Sequence, residues 1–204
     1  IKRFLCVGTS PAQAYGRAMA KLGEVGDLSL IISDSAGRGV STARIDFQRD
    51  GQSIPAYPDK KGQIEISLPL GEWELTAKDN GREKLSTKIV IRKDLAVHEK
   101  ITLGEQSGIH FTITKENGDA IPCKAQIIGI EGTASPKLGP VDRAHGCNDQ
   151  YHSENGEFSI GLAPGKYKVI LTRGIEYDHF EKQLEIRKGK FENIETALPR
   201  SVDT

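Results

Sequence analysis

The sequence predicts an all-β protein: two tandem antiparallel β-sandwiches with a short helical segment at the N-terminal end. Three observations carry this. First, the chain repeats itself. Gly62-Gln-Ile-Glu-Ile-Ser-Leu-Pro-Leu-Gly71-Glu-Trp73-Glu-Leu75 returns 94 residues later as Gly156-Glu-Phe-Ser-Ile-Gly-Leu-Ala-Pro-Gly165-Lys-Tyr167-Lys-Val169, without a gap. Self-similarity of this kind sets the domain count before any local reading. Second, apolar residues alternate with polar ones in both copies, the two-residue period that turns one face of a strand toward a core. Third, Gly, Asn and Asp punctuate these runs at short intervals, as the turns of an all-β fold require.

The elements follow in chain order. Phe4-Leu5-Cys6-Val7 reads as a strand end. Ser10-Pro11-Ala-Gln13 has the layout of a capping box, with Ser at N-cap, Pro at N1 and Gln at N3. A helix follows, with Ala14, Ala18 and Leu22 as its apolar stripe, Tyr15 and Met19 beside them, and Gly23 as its stop. Residues 1–26 are too few to build a core of their own. They read as an arm packed on the first sandwich, or as the end of an upstream domain.

The first sandwich spans 27–104 and the second 107–200, with six or seven strands in each. Leu28, Leu30 and Ile32 alternate with Ser29, Ile31 and Ser33, and Ile109, Phe111 and Ile113 with His110, Thr112 and Thr114. Ile64, Ile66 and Leu68 correspond to Phe158, Ile160 and Leu162. Asp50-Gly51, Asn117-Gly118 and Asn155-Gly156 suit hairpin turns, since both residue types tolerate positive φ. Upstream, Gly37 matches Gly118 at a separation of 81, so the second copy holds 13 extra residues, placed near 129–150. The joint Gly104-Glu-Gln-Ser-Gly108 is short.

Composition narrows the function. Lys plus Arg equals Asp plus Glu, 28 each, so no domain-wide positive field exists to collect nucleic acid. No apolar run is long enough for a membrane span. The chain opens on Ile1 without an initiator Met or a signal peptide, which reads as a mature form or an excised fragment.

Single residue types say little. Cys123 and Cys147 either pair as a disulfide that pins the extra loop, which fits an exported protein, or are two unrelated thiols. Cys6 is left over, and no Cys-x-x-Cys exists for a structural zinc. His98 and His110 sit at solvent-facing strand positions. Asp142, Arg143, His145, Asp149 and His152 gather around the insertion. Asp and His together can hold a metal or a water, and a polar surface loop also collects them by default. No metal is assigned, because the spacing matches no ligand pattern.

Arg173-Gly174-Ile175-Glu176-Tyr177-Asp178-His179 is the densest polar stretch of the second copy, and the first copy has Lys78-Asp79-Asn80-Gly81-Arg82-Glu83 there. Loops on rigid scaffolds carry function. Arg173, Glu176, Tyr177 and Asp178 are therefore the interaction candidates. Arg173 either clamps a carboxylate or phosphate in two parallel hydrogen bonds, or pairs with Glu176 or Asp178 to shape the loop. The chain has no Gly-x-Ser-x-Gly elbow, phosphate-cradling Gly-Lys-Ser/Thr loop or His-Glu-x-x-His. No catalytic residue and no cofactor is assigned.

Asn155-Gly156 followed by Leu162-Ala-Pro164-Gly165-Lys-Tyr167-Lys-Val169 resembles the G-x-F-x-L-x-P-G-x-Y-x-V signature of carboxypeptidase-regulatory-like domains. The resemblance implies an Ig-like, transthyretin-like sandwich for each copy. The first copy keeps Leu68, Gly71, Trp73 and Leu75 and shifts its proline to Pro69. Pro164-Gly165-Lys-Tyr167, Arg173-Gly174-Ile-Glu176-Tyr177 and Pro199-Arg200-Ser-Val202-Asp203-Thr204 are similar to the region preceding the catalytic domain in bacterial metallohydrolases of the PHP (polymerase and histidinol phosphatase) superfamily. That implies an accessory region of a larger metal-dependent hydrolase, with a His-x-His motif and all metal ligands beyond Thr204.

Three readings follow. A non-catalytic accessory region, whose partner is the downstream catalytic domain of the same polypeptide, predicts an exposed apolar patch near the Arg173 loop or the C-terminal end. A carbohydrate- or ligand-binding module of an exported protein predicts solvent-facing aromatics, with Tyr151 and Tyr177 as candidates and Trp73 and Tyr167 as core. An enzyme built on the Asp142–His152 loop predicts convergent ligands in a concave site. They rank in that order.

Overall fold

The computed structural model describes residues 5–138 and 148–202, in two compact units, Ile1–Glu105 and Gln106–Thr204. The first unit has one helix, α1 (Pro11–Met19), and seven strands: β1 (Val25–Ser33), β2 (Arg44–Arg49), β3 (Gln52–Ala56), β4 (Gln63–Pro69), β5 (Gly71–Lys78), β6 (Leu85–Ile91) and β7 (Val97–Thr102). They form a three-stranded sheet, β4-β1-β7, and a four-stranded sheet, β3-β2-β5-β6. The alternating residues bury between them: Leu28, Leu30 and Ile32 from one sheet, and Phe47, Trp73 and Leu75 from the other. Each such side chain contributes roughly 1.5–3 kcal/mol of burial.

The second unit repeats the first strand for strand: β8 (Gly108–Thr114), β9 (Cys123–Ile130), β10 (Gln150–Ser153), β11 (Glu157–Gly161), β12 (Gly165–Thr172), β13 (Phe180–Ile186) and β14 (Phe191–Ala197). The sheets are β11-β8-β14 and β10-β9-β12-β13. Phe111, Ile127, Tyr167 and Val169 centre its core. Even single hydrogen bonds recur. The Trp73 indole N–H donates to the Pro69 carbonyl at 2.9 Å, and the Tyr167 hydroxyl donates to the Ala163 carbonyl at 2.9 Å. Each large ring is thus buried with its polar atom satisfied.

Gly62 and Gly156 show why the repeat keeps glycine. Both have positive φ, and an added Cβ would lie 2.3 Å from the Ile32 or Ile113 carbonyl oxygen respectively. The chain passes too close to a neighbouring backbone for any side chain.

The structure corrects several expectations. The sheets are not wholly antiparallel: β7 runs parallel to β1, and β14 parallel to β8. Side-chain alternation has the same period in both pairings, so the sequence pattern could not distinguish them. Of the three turn dipeptides, Asp50-Gly51 closes a hairpin, with Arg49 opposite Gln52. Asn117-Gly118 and Asn155-Gly156 lie instead between strands of different sheets. Gly118 and Gly156 have positive φ while Asn117 and Asn155 do not; the direction of the chain beyond them is set by tertiary packing.

The insertion replaces that hairpin. β9 and β10 are joined by residues 131–149, opening with Glu131 and Gly132 at positive φ, as Asp50 and Gly51 are. The Leu138 N–H donates to the Asn148 carbonyl at 2.6 Å, bringing the two ends of the extra segment together.

α1 starts at Ser10, whose hydroxyl accepts from the Gln13 N–H at 3.1 Å. Gln13 Oε1 in turn accepts from the Thr9 N–H at 2.9 Å. Its buried face is Ala12 and Gly16, packed on β4, with Tyr15 against the core. Ala14 and Ala18 are half-buried and Leu22 is exposed, so the expected stripe is rotated. Gly16 sits where a Cβ would come within 3.0 Å of Ser67, and this close approach chose the face. The strand end expected at Phe4–Val7 is not formed by Leu5, Cys6 and Val7, which have no strand pairing, with Leu5 and Val7 exposed and Cys6 half-buried; Phe4 lies outside the described residues. No helix among the described residues is long and apolar enough to cross a membrane.

Candidate functional site

β12 ends at Thr172 and β13 begins at Phe180, so the Arg173–His179 stretch is the connection at one end of the second sandwich. Arg173 does not pair with Glu176 or Asp178. Its Nη1 donates to the Pro122 carbonyl at 2.9 Å, and its guanidinium carbon lies 5.0 Å from the centre of the Tyr177 ring. Tyr177 is half-buried against the core.

The loop grips the segment that follows β14. Tyr177 and Arg200 form an antiparallel bridge. The Asp178 N–H donates to the Pro199 carbonyl at 3.0 Å, and the Ser201 N–H to the Glu176 carbonyl at 2.9 Å. Arg200 Nη2 pairs with Glu176 Oε2 at 3.0 Å, with both side chains about 40% exposed, which limits the pair's worth. The backbone contacts do most of the holding. Ile175, at the loop's apex, is 98% exposed, and Val202 is 49% exposed. These are the two exposed large apolar side chains among the described residues of the loop and the segment it holds.

The first unit clamps its own exit at the same place in the fold. Arg82, between β5 and β6, pairs with Asp79 (Nε to Oδ2, 2.9 Å), with side chains 9% and 3% exposed. Its Nη1 donates to the Gly104 carbonyl, just beyond β7. Chemistry differs between the copies; the position and the segment held do not.

Beside the Arg173 loop lies an open hollow of about 690 Å³, lined by Cys123, Lys124, His152, Thr172, Arg173 and Ile175 among others. Cys123 is buried. Burial pushes its thiol up to about 11, against the opposing charge of Arg173.

The Asp-His cluster is only partly in view. Asp142, Arg143, His145 and the Cys147 end of the expected disulfide lie outside the described residues. Asp149 Oδ2 accepts from the Gln126 amide at 3.1 Å, and His152 is exposed on β10 opposite Lys124. Among the described residues no three His, Cys, Asp or Glu side chains come together as a metal site. His98 and His110 are exposed, with His110 stacked on Phe191 at 4.2 Å. Trp73 and Tyr167 are core residues. Tyr151 stacks on Phe158 at 5.1 Å, so neither aromatic proposed for sugar contact stands free.

One grouping escaped the sequence reading. Asp46 is 2% exposed, held by Arg44 Nε at 2.8 Å and Lys78 Nζ at 2.9 Å. Burial alone would raise its pKa; the hydrogen bonds and charges of Lys78 and Arg44 outweigh it and hold the carboxyl below its usual range. The signal was the Arg44-Ile-Asp46 alternation, with a charge where a strand's outward position is usually solvated.

No family model matches the chain, and no curated protein matches it. The two family resemblances therefore rest on the residues quoted for them. Among solved structures, the fold is similar to the Bacillus anthracis TIE protein, at 14% identity and TM-score 0.40, over 86% of this chain and 34% of that one. It is also similar to a streptococcal ancillary pilin, at 15% identity and TM-score 0.43, over 86% of this chain and 62% of that one. A DUF3823 family protein from Bacteroides ovatus matches at 13% identity and TM-score 0.35, over 81% of this chain and 96% of that one. The chain thus spans about a third of the first of these and under two thirds of the second. These are likenesses of β-sandwich fold, and no residue role is carried across from them.

Proposed function

We propose that this chain is a non-catalytic accessory region of a larger, exported, metal-dependent hydrolase, and that its second sandwich positions the catalytic domain that follows it in the same polypeptide. The observation that supports this is the exit clamp. In each unit the connection between the third and fourth strands of the four-stranded sheet holds the segment leaving the last strand. In the second unit that clamp also presents Ile175 bare beside the exit. A fixed exit direction and an adjacent apolar contact are what orient one domain against the next. The hydrolase assignment rests on the resemblance of Arg173–Tyr177 and Pro199–Thr204 to the region preceding PHP catalytic domains.

The test is hydrogen exchange at residues 174–178, compared between the 204-residue chain and the longer polypeptide that this reading expects to contain it. The reading expects the Ile175 loop to gain protection in the longer protein, and Ile175→Lys to abolish that gain. Equal exchange in the two would overturn the docking role.

A further inference from the structure

The internal repeat offers a comparison that neither copy offers alone. In the first unit Arg44 lies opposite Lys78 across β2 and β5. In the second, Lys124 lies opposite Thr172 across β9 and β12. Lys124 therefore occupies the place of Arg44, and by the same register Gln126 occupies the place of Asp46. In the first copy two cations at this end of the sheet close on a buried carboxylate. In the second copy that carboxylate is an amide. Gln126 turns to Asp149, and Lys124 has no hydrogen-bond or ion-pair partner among the described residues.

The surroundings of Lys124 have changed in step. His152 faces it from β10, and Arg173 enters the same hollow. Arg173 is held in place by its bond to the Pro122 carbonyl, leaving the rest of its donor fork unspent. Among the described residues lining the hollow there is no Asp or Glu, and Ile175 forms an apolar wall. A lysine and an oriented arginine with no carboxylate beside them among the described residues have the chemistry to receive one from outside.

We propose that the hollow formed by Lys124, His152, Thr172, Arg173 and Ile175 binds a carboxylate supplied from outside the fold, in place of the internal Asp46 of the first copy. The ligand is a carboxylate group, carried either by a small organic acid or by an acidic side chain with an apolar neighbour lying on Ile175. The site is built from residues of the second unit alone.

The test is a backbone-amide NMR titration of the 204-residue chain at low salt with three probes. These are sodium acetate, the blocked tetrapeptide Leu-Asp-Asp-Leu and its neutral counterpart Leu-Asn-Asn-Leu. The site predicts saturable shifts at Lys124, Thr172 and Arg173 with the acidic probes and none with the neutral peptide. Equal affinity for acetate and acidic peptide would make the small acid sufficient. Affinity about tenfold higher for the peptide would assign the peptide source. Lys124→Gln should weaken binding by about tenfold or more. Gln126→Asp should do the same by restoring the internal carboxylate, in a chain whose spectrum stays folded. The proposal is overturned by no saturable shift, by equal response to the neutral peptide, or by unchanged binding in either variant.

Discussion

Gly62 and Gly37 have nearly the same backbone angle, φ 79° and 80°, and very different surroundings. This separates two reasons for keeping glycine. At Gly37 an added Cβ meets nothing within 4 Å; at Gly62 it lies 2.3 Å from the Ile32 oxygen, 2.9 Å from Gly39 Cα and 3.0 Å from the Val40 nitrogen. All three are backbone atoms, so no side chain can swing aside. Gly37→Ala should therefore cost only the left-handed strain, about 1–2 kcal/mol. Gly62→Ala adds overpacking of about 1–3 kcal/mol. It also stretches the ladder there, where the Ile32 N–H donates to the Gly62 carbonyl at 2.8 Å and Val40 N–H to Ile32 at 3.0 Å. The expected gap between the variants is about 2–3 kcal/mol. The chain's single tryptophan, Trp73, is buried in the same unit and reports its unfolding. In urea that gap separates the two midpoints by about 1–2 M. Coincident midpoints would refute the close-approach account and leave backbone angle as the only reason for the glycine.

Three further outcomes follow from the same structure. Trp73→Phe and Tyr167→Phe each strip the hydrogen bond to Pro69 or Ala163. Tyr167→Phe should lower the stability of its unit by about 1 kcal/mol, and Trp73→Phe, which also leaves a cavity, by about 2 kcal/mol or more, read by thermal unfolding with circular dichroism. Asp46 has a depressed folded pKa, so its contribution is present above the unfolded value and fades as pH falls through the folded one. Asp46→Asn should thus destabilise the first unit by about 1 kcal/mol at neutral pH, since water around the half-exposed Lys78 and Arg44 weakens the pairs. The difference from wild type should shrink below about pH 4. With its thiol raised to about 11 and buried, Cys123 in the reduced chain should alkylate far more slowly than Cys6 at pH 8, measured by peptide mapping with iodoacetamide.

The repeat made most of the fold legible. Alternation identified Leu28, Leu30, Ile32 and their counterparts as core, and Trp73 and Tyr167 as equivalent buried rings. What alternation lacks is direction, so the parallel pairing of β1 with β7 was invisible. The helix face was missed because Gly16, not an apolar residue, makes the closest contact. The Arg173 loop stood out by its divergence from the first copy. Its pairing with the 199–202 segment was not legible, because backbone pairing across such a distance leaves no local pattern. Asp46 and Lys124 were hidden for a simpler reason. The repeat slips by one residue between Val40 and Arg44, so the position that holds a carboxylate in one copy and an amide in the other never came into line.

The most direct test of the accessory role is to read the coding sequence immediately after Thr204. The account predicts a linker-free continuation into a domain with a His-x-His motif and further Asp and His ligands, for which the Glu176–Val202 clamp sets the exit direction. A stop codon there, or a further run of sandwich repeats, would contradict it.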